Sequence, residues 1–103
     1  MVKNAAAAPG AAIIKQCEFV AGLFASLSHP VRLKVLCCLL TGEKSVSDLT
    51  EFCGISQPTM SQFLSRMKEG MLVDSRRDGN RIFYSIADDK LARLLGAVKD
   101  LYC

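Results

Sequence analysis

Two sets of side chains in this 103-residue chain could do chemistry. The first is Gln57, Thr59, Ser61, Gln62, Ser65 and Arg66, followed shortly by Arg76, Arg77, Asn80 and Arg81. Amides can bond adenine edges, guanidiniums can bond guanine edges or phosphates, and hydroxyls can meet either, so this set suits a nucleic acid. The second set is five cysteines: Cys17, Cys37, Cys38, Cys53 and Cys103. An odd number without a secretion signal argues for a reducing cytoplasm and against a disulfide framework. Taken singly, each thiol is most simply a small buried hydrophobe. The one histidine, His29, stands at an expected helix start, and no acid–base pair or phosphate-binding loop accompanies it. Neither an enzyme nor a bound cofactor is expected.

The first set needs a scaffold, and the spacing supplies one. Val46, Leu49 and Phe52 recur at helical intervals, and Met60, Leu64 and Met67 repeat the pattern after an interruption at Cys53-Gly54-Ile55-Ser56. Ser45 can cap the first helix with Asp48 three residues on, and Gly54 can end it at positive φ. Ser56 can cap the second, with Pro58 tolerated in its first turn. Two helices around a short turn, with methionines and leucine turned inward, leave Gln57, Thr59, Ser61, Gln62, Ser65 and Arg66 facing outward as a recognition helix for the major groove. An ordinary polar helix face is the alternative for that segment alone.

A hairpin follows at once. Leu72 to Ser75 and Arg81 to Ile86 alternate as strands do, and Asp78-Gly79 between them is a turn signal. Arg76, Arg77 and Arg81 would cluster with Asn80 at its tip, placed for phosphates or a narrow minor groove. Charges that merely blunt a strand edge are the competing explanation.

The remaining elements frame this unit. Residues 1–10 are expected to be a disordered tail, and residues 11–103 a single domain. A first helix over about Ala11 to Leu27 carries Ile13, Ile14, Phe19, Leu23, Phe24 and Leu27, too many apolar residues for one buried stripe. Pro30 opens a second helix that runs to about Leu40, capped by Ser28 or His29, apolar on nearly all sides and therefore central. A last helix, about Asp88 to Tyr102, again has apolar surface to spare for a second subunit. Half the residues are hydrophobic, more than a small monomer needs, which also favours a homodimer. The net charge is only +3, and residues 57–85 hold five basic against three acidic side chains, so the excess sits where DNA is expected. Pro9-Gly10 interrupts any signal-like run, and no stretch approaches a membrane span.

Three segments, LSHPVRLKVLCCLL (Leu27 to Leu40), ISQPTMSQFLSRMKEGMLV (Ile55 to Val73) and RRDGNRIFYSI (Arg76 to Ile86), together resemble the ArsR/SmtB family of winged-helix repressors. The resemblance implies a mainly α winged helix-turn-helix with a two-stranded hairpin wing. It also implies a homodimer formed by the first and last helices, and repression of a double-stranded DNA operator relieved by an inducer. Metal-sensing relatives carry a motif resembling ELCVCDL where this chain reads Glu43 to Leu49 with Ser45 and Ser47 in the cysteine positions. Hydroxyls are poor ligands for soft metals, and Asp88 and Asp89 on the last helix have no imidazole partner, so no metal site is expected.

The BigR, SqrR and HlyU-like redox branch is the nearer likeness. Its RLxILC motif is similar to Arg32-Leu33-Lys34-Val35-Leu36-Cys37, and its second cysteine matches the one in Leu101-Tyr102-Cys103. That resemblance implies a switch in which a reactive sulfur species or oxidant links Cys37 to Cys103, with Cys37 attacking first and Cys38 left to packing. The alternatives are a metalloid- or metal-responsive repressor, with Cys17, Cys37 or Cys38, and Cys103 as thiolates for arsenic or cadmium, or a winged-helix protein-interaction module.

Overall fold

The computed structural model describes residues 10–103, so the expected tail lies, but for Gly10, outside the described residues. The order is α1 (Ala11–Leu27), α2 (Pro30–Leu39), β1 (Lys44–Ser45), α3 (Val46–Cys53), α4 (Gln57–Glu69), β2 (Val73–Asp78), β3 (Arg81–Ile86) and α5 (Asp89–Tyr102). α1 and α2 meet at a bend of 96°. The bend has a local cause: Pro30 opens α2, and His29 caps it, its Nδ1 accepting from the Val31 N–H at 3.1 Å. No single helix among the described residues is long and apolar enough to cross a membrane.

The two helices of the central turn form as their end residues dictate. Ser45 Oγ accepts from the Asp48 N–H at 3.1 Å while the Asp48 carboxylate accepts from the Ser45 N–H at 3.4 Å, a complete capping box. Gly54 leaves α3 at φ 67°, the left-handed position that a side chain disfavours. Ser56 caps α4, accepting from the Thr59 N–H at 3.4 Å and donating its hydroxyl to Thr59 Oγ1 at 2.9 Å. The chain turns out of α4 through Met71 at φ 63°, and the Leu72 N–H closes the turn on the Met67 carbonyl at 2.8 Å.

The core is built around α2. Val35 and Leu36 are fully buried with Leu49 of α3, Met60, Leu64 and Met67 of α4, Val73 of β2 and Leu95 of α5. Burying each such side chain contributes roughly 1.5–3 kcal/mol, so this cluster dominates the stability of a small domain. Phe52, expected inside, is 59% exposed. The eight-residue α3 buries Leu49 and packs Val46 and Cys53, the i, i+3 and i+7 stripe of one helix face, and Phe52 falls off that stripe.

The hairpin differs from expectation in two respects. β2 runs on to Asp78, so Arg76 and Arg77 lie along the strand and not at the tip. They pair across with Phe83 and Ile82, and the two-residue loop is Gly79-Asn80, Gly79 standing at φ 64°. In addition, β1 pairs with β3 through Lys44 opposite Tyr84 and Ser45 opposite Phe83, making a three-stranded sheet of order β1-β3-β2 in place of an isolated two-stranded wing.

The thiols overturn the expected switch. All five cysteines are free; Cys38 and Cys53 are half-buried against the core, while Cys17, Cys37 and Cys103 are exposed. Among the described residues no three His, Cys, Asp or Glu side chains gather into a site for a metal, which removes the three-thiolate alternative. Cys37, expected to attack first, is exposed as a residue, but partial desolvation of its thiol, and then the nearby Cys103 and Cys38, push its pKa up. A raised pKa depletes the thiolate, the only reactive form. Cys37 and Cys103 are therefore not assigned as a redox sensor, and the reactive-sulfur or oxidant inducer falls with them.

Two outcomes are expected. Leu64→Ala should cost about 2–5 kcal/mol and Ser45→Ala about 1 kcal/mol in urea unfolding, with circular dichroism as the probe. In the wild-type protein, alkylation of Cys37 by iodoacetamide, read by peptide mass spectrometry, should be slower at neutral pH than that of a free thiol peptide, and should accelerate only in the alkaline range. Equal rates at pH 7 would contradict the raised pKa.

Candidate nucleic-acid interface

The helical period that turns Met60, Leu64 and Met67 into the core turns Gln57, Thr59, Ser61, Gln62, Ser65 and Arg66 out, and all six are exposed. Thr59 is partly engaged by its hydrogen bond from Ser56, whereas the others project freely from α4. Arg66 and Lys68 lie in the last turn, where cations complement the helix dipole.

Lys68 has a further role that its place in the chain did not advertise. Its Nζ donates to Ser75 Oγ at 2.6 Å, tying α4 to β2. Only the packing of helix on strand brings these two residues together.

The arginines of the wing divide into one that is held and two that are not. Arg76 Nε and Nη2 donate to Glu43 Oε2 and Oε1, each at 2.7 Å, a bidentate pair between the α2–β1 loop and the wing. The hydrogen bonds from Arg76 hold the Glu43 carboxyl below the usual range. Arg76 also lies 3.9 Å from Asp78 and stacks over the Phe83 ring at 4.7 Å, and Arg81 stands over the same ring at 5.0 Å. Arg77 and Arg81 have no carboxylate partner among the described residues. The expected trio of tip arginines thus becomes a brace, Arg76, and two free cations.

Glu43 was missed by sequence reasoning because its partner is 33 residues away. A loop carboxylate beside a short strand gives no sign of which base it will meet.

Gln57 and Ser61 of α4, Ser47 at the start of α3, and Asn80 and Arg81 of the wing meet around a cavity of about 160 Å³. The helix-turn-helix and the wing therefore form one continuous surface. It holds amides, hydroxyls and one arginine, Arg81, without a carboxylate partner, a composition able to meet base edges and phosphates together.

Comparison with known proteins agrees with this geometry. Residues 29–75 match the family described as bacterial regulatory protein, arsR family. The chain is 43% identical over 89 residues to the biofilm growth-associated repressor of Xylella fastidiosa, covering 86% of this chain and 78% of that protein. The crystal structure of the transcriptional repressor BigR from Xylella fastidiosa superposes with a TM-score of 0.82 at 42% identity, over 88% of this chain and 93% of that one. A homodimeric winged helix-turn-helix DNA-binding domain from Mycobacterium bovis, solved by NMR, superposes with a TM-score of 0.74 at 32% identity, over 92% and 88%. None of these is an enzyme. With its winged helix-turn-helix in place, the chain belongs to the arsR family of bacterial regulatory proteins, as a non-catalytic, DNA-binding transcriptional regulator that acts in the cytoplasm.

Proposed function

We propose that the chain, folded as one domain over residues 11–103, is a homodimeric repressor that places α4 of each subunit in successive major grooves of a two-fold operator. The observation that carries this reading is the unpartnered outer face of α4 beside two unpaired arginines of the wing. In it, Gln57, Thr59, Ser61, Gln62, Ser65 and Arg66 meet base edges and nearby phosphates, while Arg77, Asn80 and Arg81 meet the backbone or the minor groove. Arg76 acts as the brace that keeps the wing beside the loop of Glu43.

The dimer in this proposal forms through α1 and α5. Ile13, Phe19 and Phe24 on α1 are 61%, 70% and 55% exposed, and Leu101 and Tyr102 at the end of α5 are 78% and 83% exposed. Apolar surface on that scale favours a partner, and a two-fold partner presents the same surface in return. The Mycobacterium bovis relative is homodimeric, which supports the same assembly here. Two-fold pairing sets the recognition helices about 34 Å apart, one helical turn of DNA.

Base contacts and phosphate contacts should fail differently. Gln62→Ala should cost about 1–3 kcal/mol on the operator and far less on random DNA, whereas Arg77→Ala should weaken both and lower the salt slope by about 1. Mobility shifts on the flanking promoter DNA at several salt concentrations read both effects, and equal loss on every duplex for every substitution in α4 would remove the recognition-helix assignment. For the dimer, Phe19→Asp with Phe24→Asp should sediment as a folded monomer with sharply reduced operator affinity. A wild-type monomer at micromolar concentration with full affinity would contradict it.

A further inference from the structure

We propose that Arg32 is the positioning residue that sets the half-site spacing accepted by the dimer, by holding the end of α1 against α2. This rests on the reading of the chain as a two-fold dimer paired through α1. The apolar anchorage of α1 is confined to its last two turns: Leu23 and Leu27 pack on the core, whereas residues 11–22 are all exposed. Its 17 residues make a lever about 25 Å long. A swing of about 10° at the elbow carries the far end through about 4 Å, more than the rise of about 3.4 Å for one base pair.

The end of that lever is incomplete on its own. The last carbonyls of a helix have no partner within it and carry the negative end of its dipole, and α1 has no basic side chain in its last turn. Ser28 satisfies the Ala25 carbonyl, its N–H donating at 3.3 Å and its hydroxyl at 2.8 Å. The Ser26 carbonyl is met from the next helix, by Arg32 Nη1 at 3.2 Å. No carboxylate pairs with Arg32 among the described residues, so the end of α1 is the negative partner of this cation.

Arg32 is itself fixed from behind. It stands half-buried on α2, one turn before the fully buried Val35 and Leu36, so its backbone cannot turn without breaking the core. Its Nε is buried and makes no hydrogen bond among the described residues, a cost that a packed apolar side chain would avoid. What the guanidinium supplies in exchange is direction: apolar contact tolerates sliding, whereas a hydrogen bond to one carbonyl fixes where α1 ends. The same elbow touches the recognition helix, because His29, the cap of α2, lies 4.9 Å from the Phe63 ring of α4. Arg32 thus relates the pairing helix to the reading helix, and half-site spacing is that relation expressed in DNA.

The test uses the two-fold site that the wild-type protein footprints in its flanking promoter DNA, together with duplexes that have one base pair inserted or removed between its halves. Fluorescence anisotropy gives the preference for native spacing as a ratio of affinities. The wild type should prefer native spacing by about thirtyfold, and Arg32→Met, which keeps the stem and loses the cation, by about threefold or less. Affinity for a single half-site should stay within about twofold of wild type, since α4 and the wing are untouched. Arg32→Lys should recover most of the preference, because one bond to one carbonyl needs a point charge and not a planar fork. A merely structural role would lower every affinity together and leave the ratio alone. Should circular dichroism show Arg32→Met unfolded, Arg32→Gln, which stays polar and loses the charge, should narrow the ratio by at least about threefold.

A wild-type ratio retained in the folded variants would overturn the proposal and leave the dimeric reading standing. Loss of single half-site affinity in step with the full site would make Arg32 a general support of the fold and overturn it equally. A wild type that sediments as a monomer, or binds every spacing alike, would remove the dimeric reading itself and the proposal with it.

Discussion

Burial of one face of α4 is the constraint from which the rest of the molecule follows. Met60, Leu64 and Met67 are all fully buried, and they reach Leu36 of α2 and Leu49 of α3 in one core cluster. A helix held on that side by apolar contacts cannot rotate without exposing them, so its other side is committed to solvent or to DNA. α2 and α3 can be seen as the support for this commitment: the 96° bend before α2 and the tight turn at Gly54 set the angle at which α4 stands out. Loss of packing beneath α4 would therefore blur the orientation of its outer face as well as lower stability.

The wing is positioned by polar contacts of a different kind. β1 joins its base to the start of α3, Lys68 joins its β2 strand to α4, and Glu43 grips Arg76. Each of the exposed pairs is weak alone, worth roughly 0–1 kcal/mol. Together with the backbone ladder they restrict where the hairpin can lie. They also sort the arginines, because a guanidinium bound on two nitrogens by a carboxylate is a poorer partner for phosphate than a free one. A modest net charge of +3 is compatible with DNA binding once the free cations are this local.

The thiols illustrate how likeness of sequence and likeness of reactivity separate. The segment Arg32 to Cys37 resembles a redox motif, and here it builds part of the central helix α2. Reactivity, however, depends on what stabilises a thiolate, and Cys37 meets burial and two other thiols. Cys53, half-buried between α3 and α2, is raised in the same way, by burial and then by Cys38. All five cysteines are free, Cys38 and Cys53 are half-buried against the core, and among the described residues the thiols gather into no metal site.

By itself the sequence determined the helix-turn-helix, because its signals are local: the Ser45–Asp48 box, Gly54 at positive φ, the Ser56 cap and the three-and-four spacing of Met60, Leu64 and Met67 all act within a few residues. The outward set on α4 was legible for the same reason, since helical periodicity alone assigns it. Tertiary structure decided what depends on residues distant in the chain: that β1 extends the hairpin into three strands, that Phe52 lies outside while Cys53 packs, and that Arg76 belongs to Glu43 while Lys68 belongs to Ser75. It also decided that Ser47 shares a cavity with Arg81, and that Cys103 and Cys38 stand near enough to Cys37 to push its thiol up. Periodicity and capping are properties of a segment, whereas ion pairs, cavities and pKa shifts are properties of neighbours, and neighbours are chosen only when the chain closes on its core.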